Sequence, residues 1–238
     1  MIAMVIPIVI ALTATATYEK DAVQTTAGEI EITFIGHSSL IFTHHGKTIF
    51  IDPYGKLAEY SSFPKADIIL VTHDHSDHLD TTAIGKIRNE GTQLVTTVLG
   101  AQKVTGAIIM NNGDTCQIGD IKIEAVPAYN IRHMRDNGLP FHPKGDGNGY
   151  VLTIGEKRIY IAGDTDDIPE MSHLDNIDIA FLPMNLPYTM TPEETAAAAR
   201  SFMPKVLYPY HTGETDTKKL VKLLGASPEI EVRIRHMK

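Results

Sequence analysis

The segment Thr72-His73-Asp74-His75-Ser76-Asp77-His78 places three imidazoles and two carboxylates within six residues. Crowding those groups together is costly unless a cation shares them. Imidazole nitrogen with carboxylate oxygen is a zinc-type donor set, and a catalytic site of that type keeps a coordination position for water. On an extended stretch His73 and His75 point the same way and can grip one ion. Asp77 and His78 begin the next turn and can grip a second. The single cysteine, Cys116, excludes an intramolecular disulfide and a thiolate zinc cluster, whereas eleven histidines are many for 238 residues.

The motif needs a rigid support, and the text around it supplies one. DIILV, residues 67–71, is a short continuously apolar run that reads as a buried strand, and a helix pattern follows over 80–89. Residues 29–35 and 47–51 read as antiparallel strands joined through 39–43, with a turn at His45-Gly46 that leaves His44 and His45 solvated. β-rich text recurs at 93–97, 107–110 and 116–126. The second half repeats the theme with a hairpin over 147–163, a buried strand at 177–182, a strand in KVLYPY, a helix over 217–224 and a closing strand in EIEVRI. Thr191-Pro192-Glu193-Glu194 is a capping box with proline at the first helical position, opening a helix to Phe202. Clustered strands with inserted helices predict two sheets packed face to face with helices outside. Beyond Ala27 no linker, repeat or low-complexity tract interrupts the chain, so residues 28–238 are expected to form one domain. Hydrophobic residues make up 43% and charged residues 21%, which excludes disorder and coiled coil. A formal charge of -8 argues against a duplex nucleic acid partner.

The H-x-H-x-D-H spacing after an apolar strand resembles that of the metallo-β-lactamase-fold hydrolases. That resemblance implies an α/β (α+β) fold, a four-layer αββα sandwich with a binuclear metal site at the edge of the two sheets. It extends over residues 29–238, because Ala162-Gly163-Asp164-Thr165 follows the strand RIYI and Tyr208-Pro209-Tyr210-His211 follows VL. Carried over by position, His73 and His75 hold metal 1, Asp77, His78 and His211 hold metal 2, and Asp164 bridges them. One position departs from the pattern. Where the family places a third histidine on metal 1, at the end of IKIEAVPAY, this chain has Asn130. An amide oxygen is a weaker zinc ligand than imidazole. Metal 1 is therefore expected to be loosely held, differently occupied, or completed by His133 or His142 from the loop 131–148.

Gly36-His37-Ser38-Ser39 and Ile51-Asp52-Pro53 narrow the resemblance to the branch of L-ascorbate-6-phosphate lactonases and N-acyl-phosphatidylethanolamine phospholipase D type enzymes. There the early histidine lies at the mouth of the site and the aspartate stands behind the ligands. Asp52 is thus expected to orient a ligand imidazole through its other nitrogen, with Asn130 and His142 as further pocket residues. The implied cofactor is two divalent ions, zinc being favoured and manganese or iron admissible. Such a pair activates a water and stabilises the developing oxyanion. Asp77 and Asp164 can take up or return the proton, and His37 can serve the leaving group. The expected function is a hydrolase of a small ester-type substrate, such as a lactone or phosphodiester. An iron-dependent redox enzyme of the same fold and a non-catalytic metal- or ligand-binding module are the alternatives. Tyr208 and Tyr210 flank His211 and either line the pocket or pack in the core; Cys116 reads as buried. Neither oligomeric state nor substrate identity is legible.

The apolar run Ile2–Leu12 followed by Ala14 and Ala16 reads as a signal peptide over residues 1–16, although no Lys or Arg precedes Lys20. At 11 residues the run is shorter than the roughly 20 needed to span a bilayer, so no stable membrane span is expected. Export to the periplasm or cell exterior follows if that reading holds, and a cytoplasmic location otherwise.

Overall fold

The structure is a computed structural model that describes residues 17–237; the segment read as a signal peptide lies outside the described residues. Alternating or continuously apolar segments build two seven-stranded sheets. The first holds β1 (Glu19–Thr25), β2 (Gly28–Gly36), β3 (Ser39–His44), β4 (Lys47–Ile51), β5 (Ile68–Leu70), β6 (Gln93–Thr96) and β7 (Ile108–Ile109), in chain order. The second holds β8 (Thr115–Ile118), β9 (Ile121–Ala128), β10 (Gly147–Ile154), β11 (Lys157–Ile161), β12 (Ile179–Pro183), β13 (Val206–Tyr210) and β14 (Glu231–Val232), again in chain order. Each sheet begins with three antiparallel pairings and ends with three parallel ones. The similarity of the two halves anticipated from sequence is therefore a repeated topology.

Parallel neighbours need crossovers, and helices supply most of them. α1 (Thr81–Ile87) and the turn α2 (Val98–Ala101) serve the first sheet, α3 (Pro192–Phe202) and α4 (Thr217–Leu224) the second. The capping box forms as read, Thr191 Oγ1 accepting from the Glu194 amide at 3.1 Å and Glu194 Oε2 from the Thr191 amide at 2.8 Å. Three apolar layers result. Ile32, Phe42, Ile49, Leu152, Ile161 and Phe181 belong to the core between the sheets. Ile84 and Ile87 of α1 pack on the outer face of the first sheet, and Ala199, Phe202 and Leu220 cover the second. The architecture is the expected αββα sandwich.

Two expectations need correction, and one open alternative is decided. The domain does not begin at residue 28, because β1 pairs along its whole length with β2, from Glu19 opposite Phe34 to Thr25 opposite Gly28. Asp21 ties this edge strand to the C-terminal segment, accepting from Arg235 at 2.6 and 2.7 Å and from the Tyr208 hydroxyl. Tyr208 accordingly packs in the core, stacked on Phe181, rather than lining the pocket. His44 is buried, not solvated: its Nδ1 meets Glu29 O at 3.0 Å and its Nε2 lies 3.3 Å from Asp120.

Candidate metal centre

β2 and β4 run the same way through two antiparallel steps, and β5 is parallel to β4; β9, β11, β12 and β13 share a direction by the same reasoning. All their C-terminal ends open on one edge of the sandwich, where ligands of α/β sheets usually bind. His37 follows β2, Asp52 β4, Thr72–His78 β5, Asn130 β9, Asp164 β11, Asn185 β12 and His211 β13. Three of these non-glycine residues take left-handed backbone conformations, His37 at φ 53°, Asp52 at φ 42° and His211 at φ 48°. Such conformations are strained and cluster at functional sites. Gly163 turns the chain into Asp164 at φ 67°, with Asn148 O and Thr72 Cβ at 2.8 and 3.1 Å from where a Cβ would stand. Only glycine fits there.

One donor cluster consists of His73, His75 and His142, with one donor atom from each within 4.8 Å of the others. His73 Nε2 and His75 Nδ1 approach to 3.1 Å, so both aim at a common point. His142, on the loop between β9 and β10, takes the place that the family pattern gives to the end of β9. Asn130 is not itself the third donor, because its Oδ1 accepts from the His142 amide at 2.7 Å and from His142 Nδ1 at 2.9 Å. That leaves His142 Nε2 free and pointed at Asp164 Oδ2, 3.3 Å away. The Asn130 Nδ2 donates to Asp166 Oδ1 at 3.0 Å and Tyr188 O at 2.9 Å. His133, the other candidate, is drawn away by Asp166, with 2.6 Å from its Nδ1 to Oδ1.

A second cluster joins His37, Asp77, His78 and His211, again within 4.8 Å. His78 donates its Nδ1 proton to Asp52 Oδ2 at 2.8 Å, which presents Nε2 to the site. The Thr72 amide and hydroxyl donate to the same carboxylate at 2.8 and 2.7 Å. Asp52 thus stands behind the donors as expected from its place after β4. His37 Nε2 lies 3.1 Å from Asp77 Oδ2, and its backbone carbonyl accepts from the His211 amide at 2.8 Å, linking the two sheets.

Asp164 lies between the clusters. Its Oδ1 is 3.4 Å from His78 Nε2 and its Oδ2 is 3.4 Å from His211 Nε2. Asp164 Oδ1, His78 Nε2 and His211 Nε2 are buried without a hydrogen-bond partner among the described residues. Buried polar atoms are ordinarily satisfied. Three orphans of cation-ligating type converging here fit a bound divalent ion.

The electrostatics agree. Burial, reinforced by neighbouring histidines, holds His73 and His211 well below the usual imidazole range and takes His142 down to about 3. Burial also takes His78 to about 3 against the opposing pull of Asp77. The neutral, ligating form is therefore the resting one at neutral pH. Burial, then Asp77 and Asp52, raise the Asp164 carboxyl well above its ordinary value. Burial would raise Asp77 too, but the His37 hydrogen bond and the His78 charge outweigh it and leave Asp77 below the usual carboxylate range. Burial lifts Asp52 to about 8 against the two Thr72 hydrogen bonds. A cavity of about 40 Å3 opens beside His73, His75, His142 and Asp164, with room for a few waters.

A family profile for the β-lactamase superfamily domain matches residues 31–211. The chain belongs to that superfamily. It is 34% identical over 188 residues to a UPF0173 metal-dependent hydrolase of Nanoarchaeum equitans, covering 76% of this chain and 83% of that one. A crystal structure from Parabacteroides distasonis is 48% identical with a TM-score of 0.89, covering 93% of this chain and 100% of that one. The metallo-β-lactamase fold protein YhfI from Bacillus subtilis, 16% identical, superposes with a TM-score of 0.69 over 87% of this chain and 96% of its own. The sandwich is thus the metallo-β-lactamase fold, and the chain is a metal-dependent hydrolase of that superfamily.

Among the residues expected from sequence, His73, His75, Asp77, His78, Asp164 and His211 gather at this edge, and His37 and His142 join them as donors. Sequence reasoning gave no role to Thr72, Asp166 or Asn185. Thr72 braces Asp52, Asp166 anchors Asn130, and the Asn185 amide stands 3.4 Å from His211 Nδ1. Asp166 had a faint signal in the acidic run Asp164-Thr165-Asp166-Asp167. Among the described residues, no helix is long and apolar enough to cross a membrane.

Proposed function

We propose that the chain hydrolyses an ester-type bond of a small substrate, a lactone or a phosphodiester, with two divalent ions in the site. The reading rests on Asp164, which stands within 3.4 Å of donors from both clusters. His73, His75 and His142 would hold one ion, Asp77, His78 and His211 the other, with Asp164 shared. Ions so held supply Lewis acidity and an activated water. Zinc suits the imidazole-rich set, and manganese or iron also accept it.

The chain's own residues do the rest. Asp52 and Asn130 fix which ring nitrogen His78 and His142 present. His37, whose side chain is 16% exposed, sits at the mouth in contact with the Asp77 carboxylate and can pass a proton from Nε2 to a leaving oxygen. The motive for a non-catalytic module was the missing third histidine, and His142 removes it. A cavity of about 40 Å3 beside the donors favours a compact scissile group.

Metal analysis of chelator-free protein by inductively coupled plasma mass spectrometry, followed by a panel of lactones and phosphodiesters, tests this. Two ions per chain are expected, with turnover lost in His73→Ala/His75→Ala. Two irons with oxygen consumption, or full activity in the double variant, would overturn it. Export is proposed as well. Cleavage after Ala16 would leave β1, which starts at Glu19, intact, and N-terminal sequencing of protein from a periplasmic fraction checks it.

A further inference from the structure

A neutral imidazole offers one ring nitrogen to a cation only while the other carries the proton, so each donor histidine needs a group that settles the second nitrogen. Asp52 does this for His78 and Asn130 for His142. For His211 neither a carboxylate nor a backbone carbonyl stands in that place among the described residues. Its Nε2 is the buried, unpartnered atom 3.4 Å from Asp164 Oδ2, and its Nδ1 meets one group, the side-chain amide of Asn185 at 3.4 Å.

Local structure holds that amide against the ring. Asn185 follows β12, and a tight turn clamps its backbone: its own N–H donates to Thr189 Oγ1 at 2.8 Å, while the amides of Tyr188 and Thr189 donate to its carbonyl at 3.0 and 2.9 Å. Gly213, at φ 51°, leaves room for the side chain, because a Cβ there would stand 2.6 Å from Asn185 Oδ1 and 3.2 Å from Nδ2. The ring of His211 is steadied in turn by that of His37, 3.7 Å away between centroids. As placed, Asn185 Nδ2 faces the ring. A half-turn about its Cβ-Cγ bond exchanges two atoms of like size, and no other hydrogen bond holds either of them among the described residues. The chemistry of ligation selects the turned form. A His211 that gives its Nε2 lone pair to a cation keeps its proton on Nδ1, and that proton asks for an acceptor.

We propose that Asn185 is a positioning residue for the ion assigned to Asp77, His78 and His211: its Oδ1 accepts the Nδ1 proton of His211 and keeps Nε2 bare and aimed into the site. The proposal rests on the reading of His211 as a donor given above. The turn that carries Asn185 also supplies the Tyr188 carbonyl to Asn130, so one short segment steadies a donor of each cluster.

The test follows the ion and the proton separately, on the full chain reconstituted with zinc. Competition with a fluorescent chelator reads the ion, and the imino region of proton spectra, with isotope-labelled histidine, reads the Nδ1 proton. Asn185→Ala should weaken one ion about 10- to 100-fold, leave the other unchanged and lose the imino signal that is missing in His211→Ala. His211→Ala should weaken the same ion at least as much, and adding Asn185→Ala to it should cost nothing more. Asn185→Asp, which can only accept, should hold that ion at least as tightly as the wild type and keep the signal. If His211→Ala holds both ions normally, the donor assignment fails and this proposal with it. If His211→Ala weakens one ion while Asn185→Ala binds both as the wild type does, or if Asn185→Asp loses as much as the alanine variant, the positioning role alone is overturned.

Discussion

Asn130→Ala probes the most specific feature of the metal centre. The side chain is only 5% exposed and makes four hydrogen bonds: two accepted from His142 at 2.7 and 2.9 Å, one donated to Asp166 at 3.0 Å and one to Tyr188 O at 2.9 Å. Truncation orphans those partners, each worth about 1–3 kcal/mol if left dry. Water will refill part of the space, so metal-free protein should lose about 2–4 kcal/mol in urea unfolding. The effect on the ion is separate. His142 loses the contact that selects its tautomer and ring orientation, and losses of this kind lower metal affinity by about 10- to 100-fold. Competition with a fluorescent zinc chelator should therefore show one ion weakened by that factor and the other unchanged. His142→Ala should weaken the same ion at least as much, whereas His133→Ala, whose ring is held by Asp166 at 2.6 Å, should leave both ions bound. Unchanged affinity in Asn130→Ala beside a large loss in His142→Ala would refute the positioning role. Loss in His133→Ala with none in His142→Ala would refute the donor assignment itself.

Asp52→Asn should keep the fold by far-ultraviolet circular dichroism and lower affinity for the other ion about 10- to 100-fold, since the amide leaves one acceptor oxygen for the three donors His78 Nδ1, Thr72 N and Thr72 Oγ1; chelator resistance equal to wild type would contradict this. In metal-stripped protein, the depressed imidazoles of His73, His78, His142 and His211 bind protons mainly in the unfolded chain, so stability falls as pH drops below about 6.5, by up to about 1.4 kcal/mol per unit for each group, and for His78 and His142 this continues down to about 3. Asp52, raised to about 8, and Asp164 act in the opposite sense, losing their contribution as pH rises from about 4 upward. Four groups against two predict a maximum near pH 6.5 in urea midpoints taken from pH 5 to 8, and a curve still rising at pH 8 would contradict it. Asp21→Ala removes the acceptor of Arg235 and Tyr208 and should cost about 1–3 kcal/mol, roughly 3–10 °C in melting temperature; an unshifted melt would mean that β1 adds nothing to the domain.

Much of the site was legible because its donors sit where local patterns end. The run 67–71 had to be a buried strand, so His73, His75, Asp77 and His78 had to emerge from its C-terminal end. The placement of Asp164 after RIYI and His211 after VLYPY followed from the same strand-end logic applied to a recognisable family order. The paired halves and the capping box at Thr191 were equally plain, since both are written in short-range periodicity. β1 was not, because EKDAVQT is an edge strand with one dry face at most, and a half-polar heptad carries little hydrophobic signal. His44 looked like a turn residue, and its burial depends on Glu29 and Asp120, distant in the chain.

The residue types and spacing around His73 determined that a cation site exists and which sheet edge carries it. Which residue completes it was decided by the fold. Asn130 occupies the expected position, yet its amide is short and is held by Asp166 and Tyr188, so it turns towards the loop instead of the donor clusters. That loop folds back until His142 meets Asn130 Oδ1, and an imidazole 12 residues further on reaches the place where a strand-end histidine would stand. Spacing along the chain cannot encode such a substitution, because it depends on long-range hydrogen bonds that exist only once both sheets are packed.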